Sequence, residues 1–179
     1  MTFNDYQLLA LRTCKSLNNE NENIVHMALG ISSEYFEILQ ALEKSKLASS
    51  VEEQIAKTEE LMHELGDILW YTAGLAHFTG LDFSRGDNFR KTSIKYAVER
   101  VLSIAKSTWV YNRPVDQPDK TGYTPWQQLQ EAIYNIIMWV EIEFPFKIEK
   151  IFTENIDKLA KRFPETYSDA AANNRKEDQ

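Results

Sequence analysis

Residues 61–75 read LMHELGDILWYTAGL, and this stretch decides the fold class. At about 100° per residue its apolar side chains recur on one face of a helix. That core stripe is formed by Leu61, Leu65, Ile68, Thr72 and Leu75. Ser50 and Glu53 predict a capping box before this helix, and Gly80 predicts its end, because glycine takes the left-handed conformation readily. The pattern therefore predicts a long amphipathic helix over residues 51–79.

The same periodicity continues on both sides of this helix. Only 6 Gly and 5 Pro interrupt it, and three of the prolines fall in the loop that we expect over residues 111–125. Thr124, Pro125 and Gln127 predict a capped helix start after that loop. The sequence predicts an all-α bundle whose further helices span about 3–16, 24–47, 88–110, 125–144 and 147–163.

Length and composition indicate one domain over residues 1–179, because 179 residues with 43% hydrophobic content can bury one sizeable core. Cys14 is the only cysteine, which excludes an internal disulfide framework. The first residues lack a signal peptide, so we expect a cytoplasmic protein. The polar tail over residues 173–179 is expected to be flexible until a ligand or partner orders it.

Two partner classes are excluded by charge and hydropathy. The most apolar run, residues 132–146, is too short and too charged to span a bilayer. A net charge of -7 argues against binding of long nucleic acid through its phosphates. It does not exclude a small phosphate ligand that arrives with its own magnesium.

Four acidic residues flank the apolar stripes of two consecutive helices. With Ile31 at zero, Glu34 and Glu37 lie about 60° and 120° to one side of their stripe. Glu64 and Asp67 lie on the same flank of the next helix. A short turn makes the two helices antiparallel neighbours, so we expect Glu37 to face Glu64 and Glu34 to face Asp67. Carboxylates that converge beside a core must bind protons or a cation, and oxygen-only ligands favour Mg²⁺, with Mn²⁺ as a substitute.

The acidic pattern has two alternatives to a magnesium site. An E-x-x-E spacing is common on solvated helix faces, and the pattern alone does not decide between such a face and a metal site. A di-iron bundle needs an E-x-x-H motif on each of two helices, whereas Glu60 with His63 supplies only one. His63 also points about 160° away from the core stripe, which disfavours di-iron.

The last predicted helix carries a basic stripe. Asn155, Lys158 and Arg162 are spaced i, i+3 and i+7, and Arg175 follows in the tail. Aligned cations and an amide suit the oxygens of a di- or triphosphate, and Arg can bind them through two parallel hydrogen bonds. An ordinary solvated face is the alternative explanation of this pattern.

Three segments together resemble the MazG-like family of all-α nucleoside triphosphate pyrophosphohydrolases. They are residues 26–37, HMALGISSEYFE, residues 64–71, ELGDILWY, and residues 155–164, NIDKLAKRFP, followed by Asn174-Arg175. The resemblance covers about residues 23–71 and 147–176. It implies a magnesium-dependent enzyme of nucleotide-pool housekeeping that converts a nucleoside or deoxynucleoside triphosphate to the monophosphate and pyrophosphate.

The resemblance also implies a role for each residue of the pattern. The metal ligands would be Glu34, Glu37, Glu64 and Asp67. Glu37 or Glu64 would serve as the general base, and the sequence does not assign that role to one of them. The substrate-binding residues would be Lys158, Arg162, Asn155 and Arg175 for the phosphates, Tyr71 for the phosphates or the sugar, and His26 and Trp70 for the base.

The chain departs from compact members of that family over residues 80–145, where we expect two inserted helices between about 85 and 145. Lys176 also stands where relatives often have an acid. Which base the enzyme prefers is therefore left open.

Large aromatic side chains predict self-association. Trp70 lies opposite the core stripe of its helix, and Trp109, Trp126 and Trp139 add further aromatic surface. Members of the family are dimers or tetramers, so we expect a homodimer or homotetramer. The alternatives to an enzyme are a catalytically silent helical module that binds a nucleotide or a protein partner, and a purely structural bundle.

Overall fold

The structure is a computed structural model, and it describes residues 1–173. Every regular element in this range is helical, which confirms the all-α prediction. A π-helical turn, Lys106–Val110, continues the fourth helix. The α-helices are α1 Phe3–Leu11, α2 Glu20–Ser45, α3 Val51–Thr79, α4 Ile94–Ala105, α5 Pro125–Glu143, α6 Ile148–Arg162 and α7 Asp169–Asn173.

Helices α2 and α3 form an antiparallel hairpin at the centre of the fold. Two glycines bring their backbones close together. A Cβ atom on Gly30 of α2 would lie 2.2 Å from the ring of Tyr71, and one on Gly74 of α3 would lie 2.4 Å from Sδ of Met27. These two contacts fix the register of the hairpin, as the short connection predicted.

The remaining helices enclose this hairpin from two sides. Helices α4 and α5 pack against each other, α4 also packs on α2, and α5 on α3. The amide of Asn135 on α5 anchors the segment before α4, because it accepts from the backbone N–H of Thr92 and donates to the carbonyl of Arg90. Helices α1 and α6 pack on α3 and on each other. Residues 80–145 thus contribute two helices, α4 and α5, that cover the central hairpin. That this segment is an insertion stays a prediction.

Three helix boundaries differ from the prediction. α1 ends at Leu11 rather than near residue 16, and Thr13 then turns its hydroxyl back onto the carbonyl of Ala10. α2 begins at Glu20 rather than near residue 24, because the Asn19 side chain caps it. α4 begins at Ile94 rather than near residue 88, after a Ser93 cap. Local side-chain to backbone hydrogen bonds explain each of these shifts.

The predicted caps are confirmed except in one detail. Thr124 and Gln127 form a reciprocal capping box, and Gly80 ends α3 with φ of 66°. The Ser50 hydroxyl accepts from the N–H of Glu53, as predicted. The Glu53 carboxylate, however, accepts from the backbone of Ser49 rather than Ser50. The predicted box at Ser50 was therefore wrong in its second half.

The tryptophans that predicted self-association are partly buried within the fold. Trp70 is covered by α1, and its indole N–H donates to the carbonyl of Ala10 at 3.0 Å. The rings of Trp109 and Trp126 contact each other, and Trp139 lies against Phe144. None of the four tryptophans is exposed. The aromatic argument for a homo-oligomer is therefore weaker, because α1 and the α4–α5 pair cover part of this surface within one chain. The homodimer or homotetramer itself stays a prediction.

Residues 1–173 also contain no helix that is long and apolar enough to cross a membrane.

Substitution of Gly30 by Ala tests the close approach of α2 and α3. The added methyl group must displace the Tyr71 ring, and overpacking of this kind costs about 1–3 kcal/mol. The better helix propensity of Ala offsets about 1 kcal/mol of that cost. We expect Gly30→Ala to lower the free energy of unfolding by about 1 kcal/mol in urea denaturation. Gln40→Ala, on the exposed side of α2, is the control, and an equally stable or more stable Gly30→Ala would contradict the packing.

Candidate functional site

Three carboxylates converge where α2 crosses α3. Each of Glu34, Glu37 and Glu64 offers one oxygen, and these three oxygens lie within 4.8 Å of one another. We call this group the acidic trio. The hairpin register places it, because Glu34 lies one turn beyond the contact of Gly30 with Tyr71, and Glu37 and Glu64 lie opposite each other about two turns beyond it. The sequence predicted this convergence.

Asp67 does not join the acidic trio. Its Oδ1 accepts a hydrogen bond of 2.9 Å from Nδ2 of Asn155, and its Oδ2 forms an ion pair with Nζ of Lys158. Both partners lie on α6, so the Asp67 carboxylate is held toward α6. Three of the four expected carboxylates therefore converge, and Asp67 lies beside them, paired with Lys158. The role of Asp67 as a fourth metal ligand stays a prediction.

Burial and mutual repulsion control the charge of the site. Burial raises the pKa of Glu34 to about 8, and the charges of Asp67, Glu37 and Glu64 add to the rise. Burial also raises the pKa of Glu64, again with help from Asp67 and Glu37. Lys158 acts in the opposite direction on both groups. At neutral pH and without a cation, Glu34 therefore holds its proton.

The donor atoms of the acidic trio fit a hard divalent cation. All three are carboxylate oxygens, the ligand type that Mg²⁺ and Mn²⁺ prefer. Glu34 and Glu64 are half-buried and Glu37 is exposed, so the group opens to solvent on one side.

The E-x-x-H motif that a di-iron site would need does not take part in the acidic trio. The carboxylate of Glu60 binds Lys44 at 3.0 Å and Lys57 at 2.8 Å, and His63 is exposed. Two ion pairs already neutralise the acid of the motif, and they lower the pKa of Glu60.

The basic stripe of α6 divides into three environments. Asn155 is only 2% exposed and both ends of its amide are used inside the protein, so it does not face a ligand. Lys158 lies beside the acidic trio on Asp67. Arg162 donates from Nη2 to the carbonyl of Ala172 at 3.2 Å, while its buried Nε has no hydrogen-bond partner within residues 1–173. Arg175 lies outside the described residues.

The residues predicted to receive the sugar and base are only partly brought together. The rings of His26 and Tyr71 meet edge to face at 5.7 Å, next to the closest approach of α2 and α3. Burial lowers the pKa of His26, so this imidazole is neutral at pH 7. The Trp70 ring contacts Tyr71, but its indole N–H donates to the carbonyl of Ala10 at the end of α1. Trp70 therefore packs against α1.

Sequence reasoning missed one buried residue of this region. The hydroxyl of Tyr6 lies 2.8 Å from Oδ1 of Asn155 and 3.2 Å from the carbonyl of Gly66. No periodicity connects residues 149 positions apart. The only local signal was Gly66 itself, in the middle of a strongly helical stretch, where a Cβ atom would lie 2.8 Å from Asn155.

The raised pKa of Glu34 predicts how stability depends on pH. The folded chain holds this proton more tightly than the unfolded chain, so ionisation of Glu34 destabilises the fold. With divalent cations chelated, the contribution of Glu34 to the free energy of unfolding should fall as pH rises from 4.5 to about 8. Thermal unfolding of Glu34→Gln should lack this loss.

Glu53→Gln serves as the control for the pH series. Hydrogen bonds from Ser49 lower the pKa of Glu53, so its change of charge lies below that pH range. Parallel pH profiles for the wild-type chain and Glu34→Gln would contradict the electrostatic account of the acidic trio.

Comparisons of the chain with protein-family models, with curated proteins and with solved structures each find no match. Support for a function therefore comes from the sequence pattern and from the geometry around the acidic trio. The observation that any function must explain is the meeting of three carboxylates with one lysine at the junction of α2, α3 and α6.

Proposed function

We propose that this chain is a magnesium-dependent nucleoside triphosphate pyrophosphohydrolase, which converts a nucleoside or deoxynucleoside triphosphate to the monophosphate and pyrophosphate. The observation that carries the proposal is the acidic trio with Lys158 beside it. Carboxylates and an ammonium group in one open site are the two kinds of group that a magnesium polyphosphate needs. The MazG-like sequence pattern supplies the reaction class.

The acidic trio would hold the metal together with Oδ2 of Asp67, the oxygen that pairs with Lys158 in the metal-free site. When bound, Mg²⁺ neutralises phosphate charge and lowers the pKa of a water molecule that attacks the triphosphate. The raised pKa of Glu34 supports this assignment, because a cation offsets the burial and the repulsion that otherwise keep a proton on it.

Lys158 and Arg162 would bind the phosphates. They lie one helical turn apart on α6, so both can reach one extended polyphosphate. The Lys158 ammonium already lies in an acidic surrounding, and charge-assisted hydrogen bonds to phosphate are stronger than neutral ones. The buried Nε of Arg162, which has no hydrogen-bond partner among residues 1–173, is a further donor that an anion could satisfy. Together they would stabilise the charge that develops on the leaving pyrophosphate.

The general base is one of two carboxylates. Glu37 is exposed, and its Oε1 accepts a hydrogen bond of 3.2 Å from the hydroxyl of Ser33. Glu64 is half-buried with a raised pKa. Either group can take a proton from an attacking water molecule, and His26 with Tyr71 offers an aromatic surface to the sugar or base.

Carboxylate substitutions test the site. Glu37→Gln and Glu64→Gln should each lower the rate of magnesium-dependent pyrophosphate release by about 100-fold or more, because each removes a ligand or the base. The assay screens canonical and modified nucleoside triphosphates, and Glu143→Gln, an exposed acid at the end of α5, is the matched control. Full turnover by Glu37→Gln for every substrate would refute the site. Nucleotide binding without pyrophosphate release would support a catalytically silent module instead.

Substitution of Lys158 tests the proposed phosphate contact. Loss of one charge-assisted hydrogen bond costs about 1.5–3 kcal/mol, so we expect Lys158→Ala to lower kcat/KM about 10- to 100-fold. Lys161→Ala removes an exposed lysine from the same helix and should change kcat/KM little. Equal effects of the two substitutions would argue for a general electrostatic attraction rather than a phosphate contact at Lys158.

A further inference from the structure

A buried chain of hydrogen bonds runs from α1 through α6 to α3. The hydroxyl of Tyr6 donates toward Oδ1 of Asn155 at 2.8 Å, and Nδ2 of Asn155 donates to Oδ1 of Asp67 at 2.9 Å. Tyr6 is fully buried and Asn155 is 2% exposed. The Asp67 carboxylate, which borders the acidic trio, is thus connected to a phenol on a different helix.

The donor and acceptor groups of Tyr6, Asn155 and Asp67 fix the direction of the hydrogen bonds between them. A carboxylate only accepts hydrogen bonds, so the NH₂ side of the Asn155 amide must face Asp67. The amide oxygen then faces Tyr6, whose hydroxyl supplies the hydrogen. Burial raises the pKa of Tyr6 well above its ordinary value, which keeps the hydroxyl protonated and able to donate. A reversed amide would place two oxygens against each other at Asp67.

Packing holds both ends of this series of hydrogen bonds in place. The ring of Tyr6 stacks on that of Phe152 with centroids 4.0 Å apart, so the phenol has little freedom to turn away. On the other side, Asn155 can pack against Gly66 only because glycine has no side chain. A Cβ atom at this position would lie 2.8 Å from the Asn155 side chain. Gly66 directly precedes Asp67, so the glycine that lets α6 approach also sets the distance from the amide to the carboxylate.

We propose that Tyr6 is a positioning residue, which acts through Asn155 to hold the Asp67 carboxylate in place beside the acidic trio for divalent-cation binding. This inference rests on the proposed function. Tyr6 does not touch the metal or the nucleotide. It holds the Asn155 amide against Oδ1 of Asp67, and so helps to orient Oδ2, the Asp67 oxygen that pairs with Lys158.

Manganese affinity tests the positioning role without turnover. Removal of an outer hydrogen-bond partner typically weakens metal affinity about 10- to 100-fold, and we expect a loss in that range for Asn155→Ala. Tyr6 acts one step further away, so Tyr6→Phe should weaken Mn²⁺ binding by about 3- to 10-fold. Binding is followed by the electron paramagnetic resonance signal of free Mn²⁺, at a temperature where all variants are folded.

Controls separate positioning from general stability. Tyr134→Phe removes a phenol that bonds Asp82 at 3.1 Å, away from the acidic trio, and should leave the affinity for Mn²⁺ unchanged. The double variant Tyr6→Phe/Asn155→Ala should bind Mn²⁺ no more weakly than Asn155→Ala alone, because Tyr6 acts through the amide. Additive losses would overturn the proposed route. If Tyr6→Phe fails to fold, Gly66→Ala displaces the same amide and should weaken binding likewise.

Two results distinguish failure of this inference from failure of the proposed function. Wild-type affinity for Mn²⁺ in Tyr6→Phe would refute the positioning role and leave the metal site standing. No Mn²⁺ binding by the wild-type chain would refute the metal site and the positioning role with it. In metal-free protein, the side-chain amide protons of Asn155 should exchange with solvent faster in Tyr6→Phe than in Tyr134→Phe, and equal exchange would refute the hydrogen-bond chain itself.

Discussion

The close antiparallel packing of α2 on α3 is the constraint on which the rest of the structure depends. Gly30 and Gly74 allow the two backbones to approach, and the apolar stripes of both helices are buried between them and their neighbours. Because the stripes are flanked by acids on the same side, burial of the stripes forces the acidic trio together. The favourable free energy of apolar burial in the hairpin is spread over many side chains, whereas the electrostatic repulsion is confined to the acidic trio.

That repulsion is relieved in two ways within the described chain. Glu34 keeps a proton, as its raised pKa indicates, and Lys158 of α6 neutralises Asp67. The first response reflects burial together with a local excess of negative charge, and the second reflects that excess. A divalent cation is a third way to relieve it, and a polyphosphate then gives Lys158 a second partner. Helix α6 therefore contributes a countercharge as well as apolar packing, and α1 supports it from behind through Tyr6.

Much of the central hairpin could be predicted from local patterns. The bounds of α3, the antiparallel register and the convergence of the acidic trio all follow from helical periodicity and a short turn. The environments of Trp70 and Asn155 could not be predicted in this way. A helical wheel shows the direction in which a side chain points but not which other helix lies there. Trp70 is covered only because α1 folds back over it. Asn155 turns inward only because Gly66 leaves space for it, and both facts depend on tertiary contacts between distant segments.

The central claim is that the acids of the α2–α3 hairpin bind a divalent cation. The most direct test is the anomalous scattering of Mn²⁺ in crystals of the full chain grown with the metal and a nonhydrolysable nucleoside triphosphate. The account predicts an anomalous peak bonded to carboxylate oxygens of Glu34, Glu37 and Glu64, with the polyphosphate beside Lys158. Crystals that contain Mn²⁺ or nucleotide elsewhere and show no such peak at the acidic trio would contradict it.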